Sequence, residues 1–389
     1  MGSIFSFLSK AAASSAISGY AAHQLLSRTI LPRPARLSLT GIASLSGLAY
    51  FMKVWIQDYY FDWSYNDNRD LTGRTAVVTG GTVNGLGHAI ASILYQLGAK
   101  VIITVRTKEK GEAALEKLKA TDGRASYVLC DFLSEPSIRN CIAEIKTKTS
   151  GGIDFLVLNA GISGQQTAKG DLAGENENLA KVWMTNHVGP FIFAQELMPS
   201  LVEAAKRDPS EHPRVVWVSS GAHKRSVIDW ENPFHPNRKF GGLAFSAYGQ
   251  SKLANIMHAK EYQKKVRELI RKETKESRVS ESLDVKCFSI TPGAVWTNIL
   301  PKIPLLNPFF WIIMRSPAKG AQVIKMACLD KTLKGGEYLS NCYVKKSEGM
   351  DGCSNDEALW ERLWELTIKQ VEEKEHEKYI TLPNIKKTN

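Results

Sequence analysis

The stretch Thr79-Gly80-Gly81-Thr82-Val83-Asn84-Gly85-Leu86-Gly87 decides how this chain reads. It closes the apolar run Thr75–Thr79, and a helix-period segment, His88 to Leu97, follows at once. A second run, Lys100–Val105, is rich in β-branched residues. Glycine lets the backbone turn tightly and approach a pyrophosphate closely. The helix start behind the turn offers free N–H groups and a partial positive charge. A glycine run alone says little. Set between a strand and a helix, about 20 residues ahead of a second strand, it predicts a dinucleotide-binding βαβ unit.

Working outward, Ser126–Cys130, Phe155–Leu158, Arg214–Ser219 and Val285–Ile290 are further short apolar runs, with helix-period segments between most of them. This alternation predicts an α/β fold: a Rossmann-type doubly wound parallel sheet with helices on both faces. Residues 263–282 are mostly charged or polar and read as a solvated helix extension and loop. No internal repeat is visible, and no Gly-Lys-Ser/Thr phosphate loop follows the turn, which disfavours another nucleotide.

The ends of the runs carry the candidate chemistry. Arg106 follows the second run, with Lys108 nearby, where an acid would take a ribose hydroxyl in an NAD-binding version of the fold. Arginine there favours a 2′-phosphate and hence NADPH/NADP+, against the plainer reading of an exposed surface arginine. Asp131 follows the third run, placed to accept from an adenine amino group or to cap a helix. Asn159-Ala160-Gly161 closes the fourth, where small residues let the backbone approach a cofactor. Pro292-Gly293-Ala294-Val295-Trp296-Thr297 follows the last, where backbone groups would meet a nicotinamide carboxamide.

Tyr248 and Lys252 stand four apart at the start of a helical segment, so phenol and ammonium share one face. A unit charge about 4 Å away, at an effective dielectric of about 20, contributes roughly 4 kcal/mol. That would lower a phenol by up to roughly 3 pKa units, into the range of an acid–base near neutral pH. Ser220, at the end of Val216-Trp217-Val218-Ser219-Ser220, would hold the reacting oxygen beside Tyr248. Asn186 lies mid-way along a helical segment, where Asn is unfavourable unless it makes a specific bond.

Taken together, these pieces resemble the short-chain dehydrogenase/reductase family over roughly Asp70 to Ile368, most of all its retinol-dehydrogenase-like branch with fungal relatives. Gly98-Ala99-Lys100-Val101-Ile102, Asn186-His187-Val188-Gly189-Pro190-Phe191, Ala247-Tyr248-Gly249-Gln250-Ser251-Lys252-Leu253-Ala254-Asn255 and Gly320-Ala321-Gln322 carry the likeness. The resemblance implies Tyr248 as acid–base and Lys252 as its tuner and ribose ligand. It implies Ser220 as the group that orients the substrate oxygen and Asn186 as holder of a relay water. It implies Gly81, Asn84, Gly85, Leu86 and Gly87 as the cofactor turn, with Asn159, Ala160, Gly161, Pro292, Gly293, Val295 and Thr297 also at the cofactor. Two departures stand out. Four residues, not three, separate Gly80 from Gly85, and counting from Gly81 restores the spacing but puts Gly80 where Thr usually stands. The usual Asn-Asn-Ala-Gly reads Leu158-Asn159-Ala160-Gly161.

With 43% hydrophobic and 23% charged residues, the 389-residue chain can bury a full core. Six cysteines form no CxxC pair and no Cys/His cluster, which predicts reduced thiols and no metal. The net charge of +11 reads as solvated surface, or as a face toward anionic lipid, with no nucleic-acid module. The first 57 residues hold no acid, and Leu37 to Ile56 carries only Lys53 as a charge, with an aromatic cluster at its end. This predicts an N-terminal membrane anchor or interfacial segment over residues 1–70, with a mitochondrial transit peptide or a helix packed onto the domain as the alternatives. A catalytic domain would span 71–370 and a charged tail 371–389. The start Met1-Gly2-Ser3-Ile4-Phe5-Ser6 fits a myristoylation pattern that chance also produces. The end, Lys386-Lys387-Thr388-Asn389, resembles an endoplasmic-reticulum retrieval signal, so endoplasmic reticulum or lipid droplet is the expected place.

Residues Ile299 to Met314 are very apolar and contain three prolines. In similar enzymes this region covers the substrate pocket; a helix buried on the core is the competing reading. The expected function is NADP(H)-dependent carbonyl–alcohol interconversion on a hydrophobic substrate: sterol, retinoid-like or fatty-chain. The alternative is a non-catalytic NADP(H)-binding scaffold or redox sensor. Expected partners are the substrate, a membrane surface or bilayer and a second copy of the chain as a homodimer.

Overall fold

The runs read from sequence become strands of one sheet in the computed structural model. It describes residues 15–22, 24, 33–59, 63–163, 180–234, 243–273, 283–297, 299, 307–347, 349 and 352–373. The strands are β1 (Thr75–Val78), β2 (Lys100–Val105), β3 (Ala125–Leu129), β4 (Phe155–Leu158), β5 (Arg214–Val218), β6 (Lys286–Thr291), β7 (Tyr338–Ser340) and β8 (Tyr343–Lys345). Their order is β3-β2-β1-β4-β5-β6-β7-β8. All neighbours pair parallel except β8, which folds back antiparallel on β7. The last two strands, three residues each, are too short to show a period, and the sequence reading missed them.

The sheet is buried on both faces because its side chains alternate. Val77 and Ile102 enter one core cluster, whereas Ala76, Val78, Val101 and Ile103 enter the other. Helices Glu135–Lys148, Gly189–Arg207, Leu243–Glu273 and Glu357–Glu372 cover the first face; Leu86–Gln96 and Gln322–Leu329 cover the second. Helix starts are encoded locally. Thr107, Ser134 and Asp356 each accept a bond from an N–H in the first turn of the helix behind them. The strand order reverses at β1, which lies between β2 and β4. That is the switch point where open α/β sheets bind ligands beyond their carboxyl ends.

The chain divides into two compact units. The larger, residues 63–301 and 320–389, contains the whole sheet. The smaller joins residues 1–62 to 302–319 and contains helices Arg33–Tyr59 and Asn307–Ile313. The long N-terminal helix is there, but among the described residues no helix is long and apolar enough to cross a membrane. Arg33, Arg36, Lys53, Asp58 and interspersed Ser, Thr and Gly dilute its apolar character. The spanning form of the anchor therefore has no support; the interfacial form is taken up below. The myristoylation pattern, the dilysine end and residues 374–389 lie outside the described residues.

Candidate active site

The glycine turn is built by close approach. A Cβ on Gly81 would sit 2.6 Å from Ile103, one on Gly85 2.9 Å from the Thr82 carbonyl oxygen, and one on Gly87 2.5 Å from both Asn159 Nδ2 and the Gly80 oxygen. Gly80 has a φ of 73°, which a side chain would resist, and Asn84 adopts 64°. The departure in spacing is thereby resolved. Gly81, Gly85 and Gly87 meet the three close approaches, and Gly80 supplies the left-handed turn. Thr79 ties the turn to the next strand end: its hydroxyl accepts from the N–H of Asn159 at 2.9 Å and of Ala160 at 3.0 Å. Asn159 Nδ2 returns a bond to the Thr79 carbonyl at 2.9 Å. The first of the two asparagines usual here is absent from the motif, yet this anchorage is complete without it.

Gly85 precedes helix Leu86–Gln96 and offers no side-chain cap, so the first-turn N–H groups remain for a ligand. Arg106 is exposed directly beyond β2, and the Gly81 N–H donates to the Thr104 carbonyl of that strand at 3.0 Å. Asp131 is half-buried, and its carboxylate accepts from Leu133 N at 3.1 Å; the cap of the following helix is Ser134. Gly293 has a φ of 81°, and Val295 is buried against the position of Gly320. Thr297 is half-buried. The turn, the uncapped helix start and the small residues at Gly161 fit a dinucleotide.

The residues expected to handle the proton converge beside it. Ser220, just past β5, has its hydroxyl beside the Tyr248 phenol, close enough to draw the phenol's pKa down. Lys252 lies one turn further along the same helix; its Nζ is 5.6 Å from the centre of the Tyr248 ring and donates to the Val218 carbonyl at 3.0 Å. A Cβ placed on Gly161 would lie 3.1 Å from Asn186 Oδ1 and 3.3 Å from Lys252 Nζ, so glycine there leaves room for both. Asn186 is fully buried in a five-residue π-turn, Met184–Val188, a local widening common at functional positions. Its Oδ1 accepts from Ile162 N at 2.8 Å, and its Nδ2 donates to Ile162 O at 2.9 Å and to Ser251 Oγ at 3.0 Å. Ser251 in turn donates to the Tyr248 carbonyl at 2.7 Å, and Ser219 Oγ donates to the Lys252 carbonyl at 2.7 Å. Thr79, Ser219 and Ser251 were not singled out from sequence. Each stood beside a residue that was, but its partner is distant in the chain.

One electrostatic expectation reverses. Burial pushes the Tyr248 phenol above its ordinary value, and the neighbouring Ser220 hydroxyl pulls it only part of the way back. Burial also draws Lys252 down to about 8. The sequence argument counted the ammonium's attraction in a polarisable medium. In the fold both groups lose water, and desolvation disfavours phenolate and ammonium alike.

The model for short chain dehydrogenases matches residues 74–232. The chain is 32% identical over 309 residues to bovine (Bos taurus) dehydrogenase/reductase SDR family member 13, across 77% of this chain and 73% of that one. It is 28% identical to mouse (Mus musculus) retinol dehydrogenase 14, across 77% and 86%. This chain belongs to the short-chain dehydrogenase/reductase family, in its retinol-dehydrogenase-like branch. The family makes it an oxidoreductase that uses a nicotinamide cofactor. Among solved structures, 3-ketoacyl-(acyl-carrier-protein) reductase of Brucella melitensis, complexed with NADH, shares the fold with a TM-score of 0.52 at 19% identity, over 70% of this chain and 97% of that one. A protein of Mycobacterium paratuberculosis reaches 0.56 at 24% identity, over 79% and 98%.

Proposed function

We propose that this protein interconverts a carbonyl and an alcohol on a hydrophobic substrate, using NADP(H), at a membrane surface. The observation that carries the reading is the convergence of Ser220, Tyr248, Lys252 and Asn186 around Gly161 at the carboxyl ends of β4 and β5. When bound, the nicotinamide supplies or takes the hydride. Ser220 holds the substrate oxygen, and Tyr248 gives it a proton in reduction or removes one in oxidation. Lys252 places its charge behind the phenol, and Asn186, fixed by three bonds, orients the backbone at Ile162 and the hydroxyl of Ser251. Such a Tyr is kept neutral by burial, which suits it to act as the acid of a reduction.

Arg106 supports NADPH, because an exposed guanidinium beside the turn offers a bidentate partner to a 2′-phosphate. The N-terminal segment supports a membrane surface. Ile17, Tyr20, Leu45, Tyr50 and Val54 are exposed there, and the acid-free start of the chain suits anionic headgroups. The test is purified protein with NADPH and a panel of long-chain and polycyclic aldehydes and ketones, followed at the nicotinamide absorbance. Turnover that falls by about 100-fold or more in Tyr248→Phe, with NADPH still bound, supports the reading. Tight NADPH binding without turnover of any substrate would leave the scaffold instead.

A further inference from the structure

We infer that Thr367 and Gln370, on helix Glu357–Glu372, are positioning residues for Asn186: they clamp the turn from which it acts. The inference rests on the carbonyl–alcohol reading above and adds two residues to it. In the stretch Asn186-His187-Val188-Gly189-Pro190-Phe191 that reading uses Asn186 and leaves His187 without a role. His187 lies inside the π-turn Met184–Val188, just after Asn186, and Trp183 directly precedes the turn. Both are tied to the same distant helix. Trp183 Nε1 donates to Gln370 Oε1 at 3.1 Å, and His187 Nε2 lies 3.0 Å from Thr367 Oγ1. The two links reach across 187 and 180 residues and end three positions apart, on one helix face.

The hydrogens follow from the partners. Thr367 Oγ1 gives its one hydrogen to the Leu363 carbonyl at 2.8 Å, so toward His187 it accepts. His187 is therefore the tautomer that carries its hydrogen on Nε2. Burial, and after it the nearby His258, hold this imidazole well below its ordinary pKa, so it stays neutral. The rings add a second restraint. His187 lies 4.1 Å from Trp183 and 4.4 Å from His258, centre to centre. His258 belongs to helix Leu243–Glu273, which carries Tyr248 and Lys252, and its ring is 5.7 Å from Trp364 of the clamping helix. Trp183, Asn186, His187, Thr367 and Gln370 are each at most 1% exposed, so water does not replace a lost partner. A π-turn is rare, and here two bonds to a separate helix hold it at its ends. Without them Asn186 would lose its aim at Ile162 and Ser251. Gly81, Gly85 and Gly87 lie on other elements and would keep their contacts.

The test measures, in the full chain, kcat and KM for a long-chain aldehyde, NADPH affinity and hydrogen exchange at the Ile162 amide, which donates to Asn186. Thr367→Val removes the acceptor at nearly constant volume. Its kcat should fall and its Ile162 exchange should quicken, each by about tenfold, with KM and NADPH affinity held. Thr367→Ser should restore most of both. In an Asn186→Ala background Thr367→Val should lower kcat no further, because the residue it positions is gone. Leu366→Ala, which loosens the packing of the same helix without touching either bond, should keep kcat within about twofold. Gln370→Met removes only the bond to Trp183 and is read in the same way where Thr367→Val does not fold. Unchanged kcat and exchange in a folded Thr367→Val protein would overturn the inference. So would a Thr367→Val loss as large without Asn186 as with it, or an equal loss in Leu366→Ala, since either marks a general loosening of the core. If the unaltered protein turns over no aldehyde, the oxidoreductase reading fails, and exchange at Ile162 still decides whether the clamp holds the turn.

Discussion

Raising the pH should slow reduction while, through Lys252, favouring the folded state, a combination that general alkaline damage does not produce. Lys252 is 3% exposed and is pushed by burial to about 8 from an ordinary 10.5. Its ammonium is therefore about nine-tenths protonated at pH near 7 and about one-tenth protonated near pH 9. If the charged form is the one that supports Tyr248 and the cofactor ribose, kcat/KM for reduction should fall about tenfold over that interval. The phenol stays protonated throughout, because burial holds it above 10.0. For stability the sign is opposite. The folded pKa lies below the unfolded one, so between about 8 and 10.5 the unfolded chain binds the extra proton. Unfolding free energy then rises with pH across that window, and Lys260, also lowered to about 8, adds in the same direction. The assay is initial-rate kinetics of NADPH oxidation with an aldehyde, paired with denaturant unfolding at each pH. Lys252→Arg, whose guanidinium does not titrate in this range, should move the limb out of view at a lower overall rate. A flat profile, or a limb that stays near 8 in a folded Lys252→Arg protein, would refute the assignment.

Arg106→Asp should shift the preference between NADPH and NADH by about 10- to 100-fold toward NADH, read as a ratio of dissociation constants, since it removes a charge-assisted partner and adds a repulsive one. Gly87→Ala should abolish measurable cofactor binding and lower stability by about 1–3 kcal/mol in chemical unfolding. Its Cβ would land 2.5 Å from the Gly80 carbonyl oxygen, a backbone atom that cannot step aside.

Where a feature depends on neighbours in sequence, it was legible. The runs at 100–105 and 155–158 coincide with β2 and β4, because β-branched and apolar runs of that length suit a strand buried on both faces. The departure at Gly80 was legible as a change of spacing, but the bond by which Thr79 ties the turn to Asn159 spans 80 residues and no local pattern shows it. Ser251 was visible inside the Tyr–Lys motif, but its bond to Asn186 spans 65 residues and no local pattern announces it.

By itself, the sequence determined the βαβ alternation, the glycine turn and the placing of Tyr248 and Lys252 on one helix face. Period and i,i+4 spacing are properties of a short piece of chain. Only the tertiary structure decided the direction in which Tyr248 is shifted, because desolvation comes from surroundings that the fold assembles. It alone also brought Lys53 to Trp311, 258 residues away, since such a contact depends on where two distant segments pack and not on either one's composition.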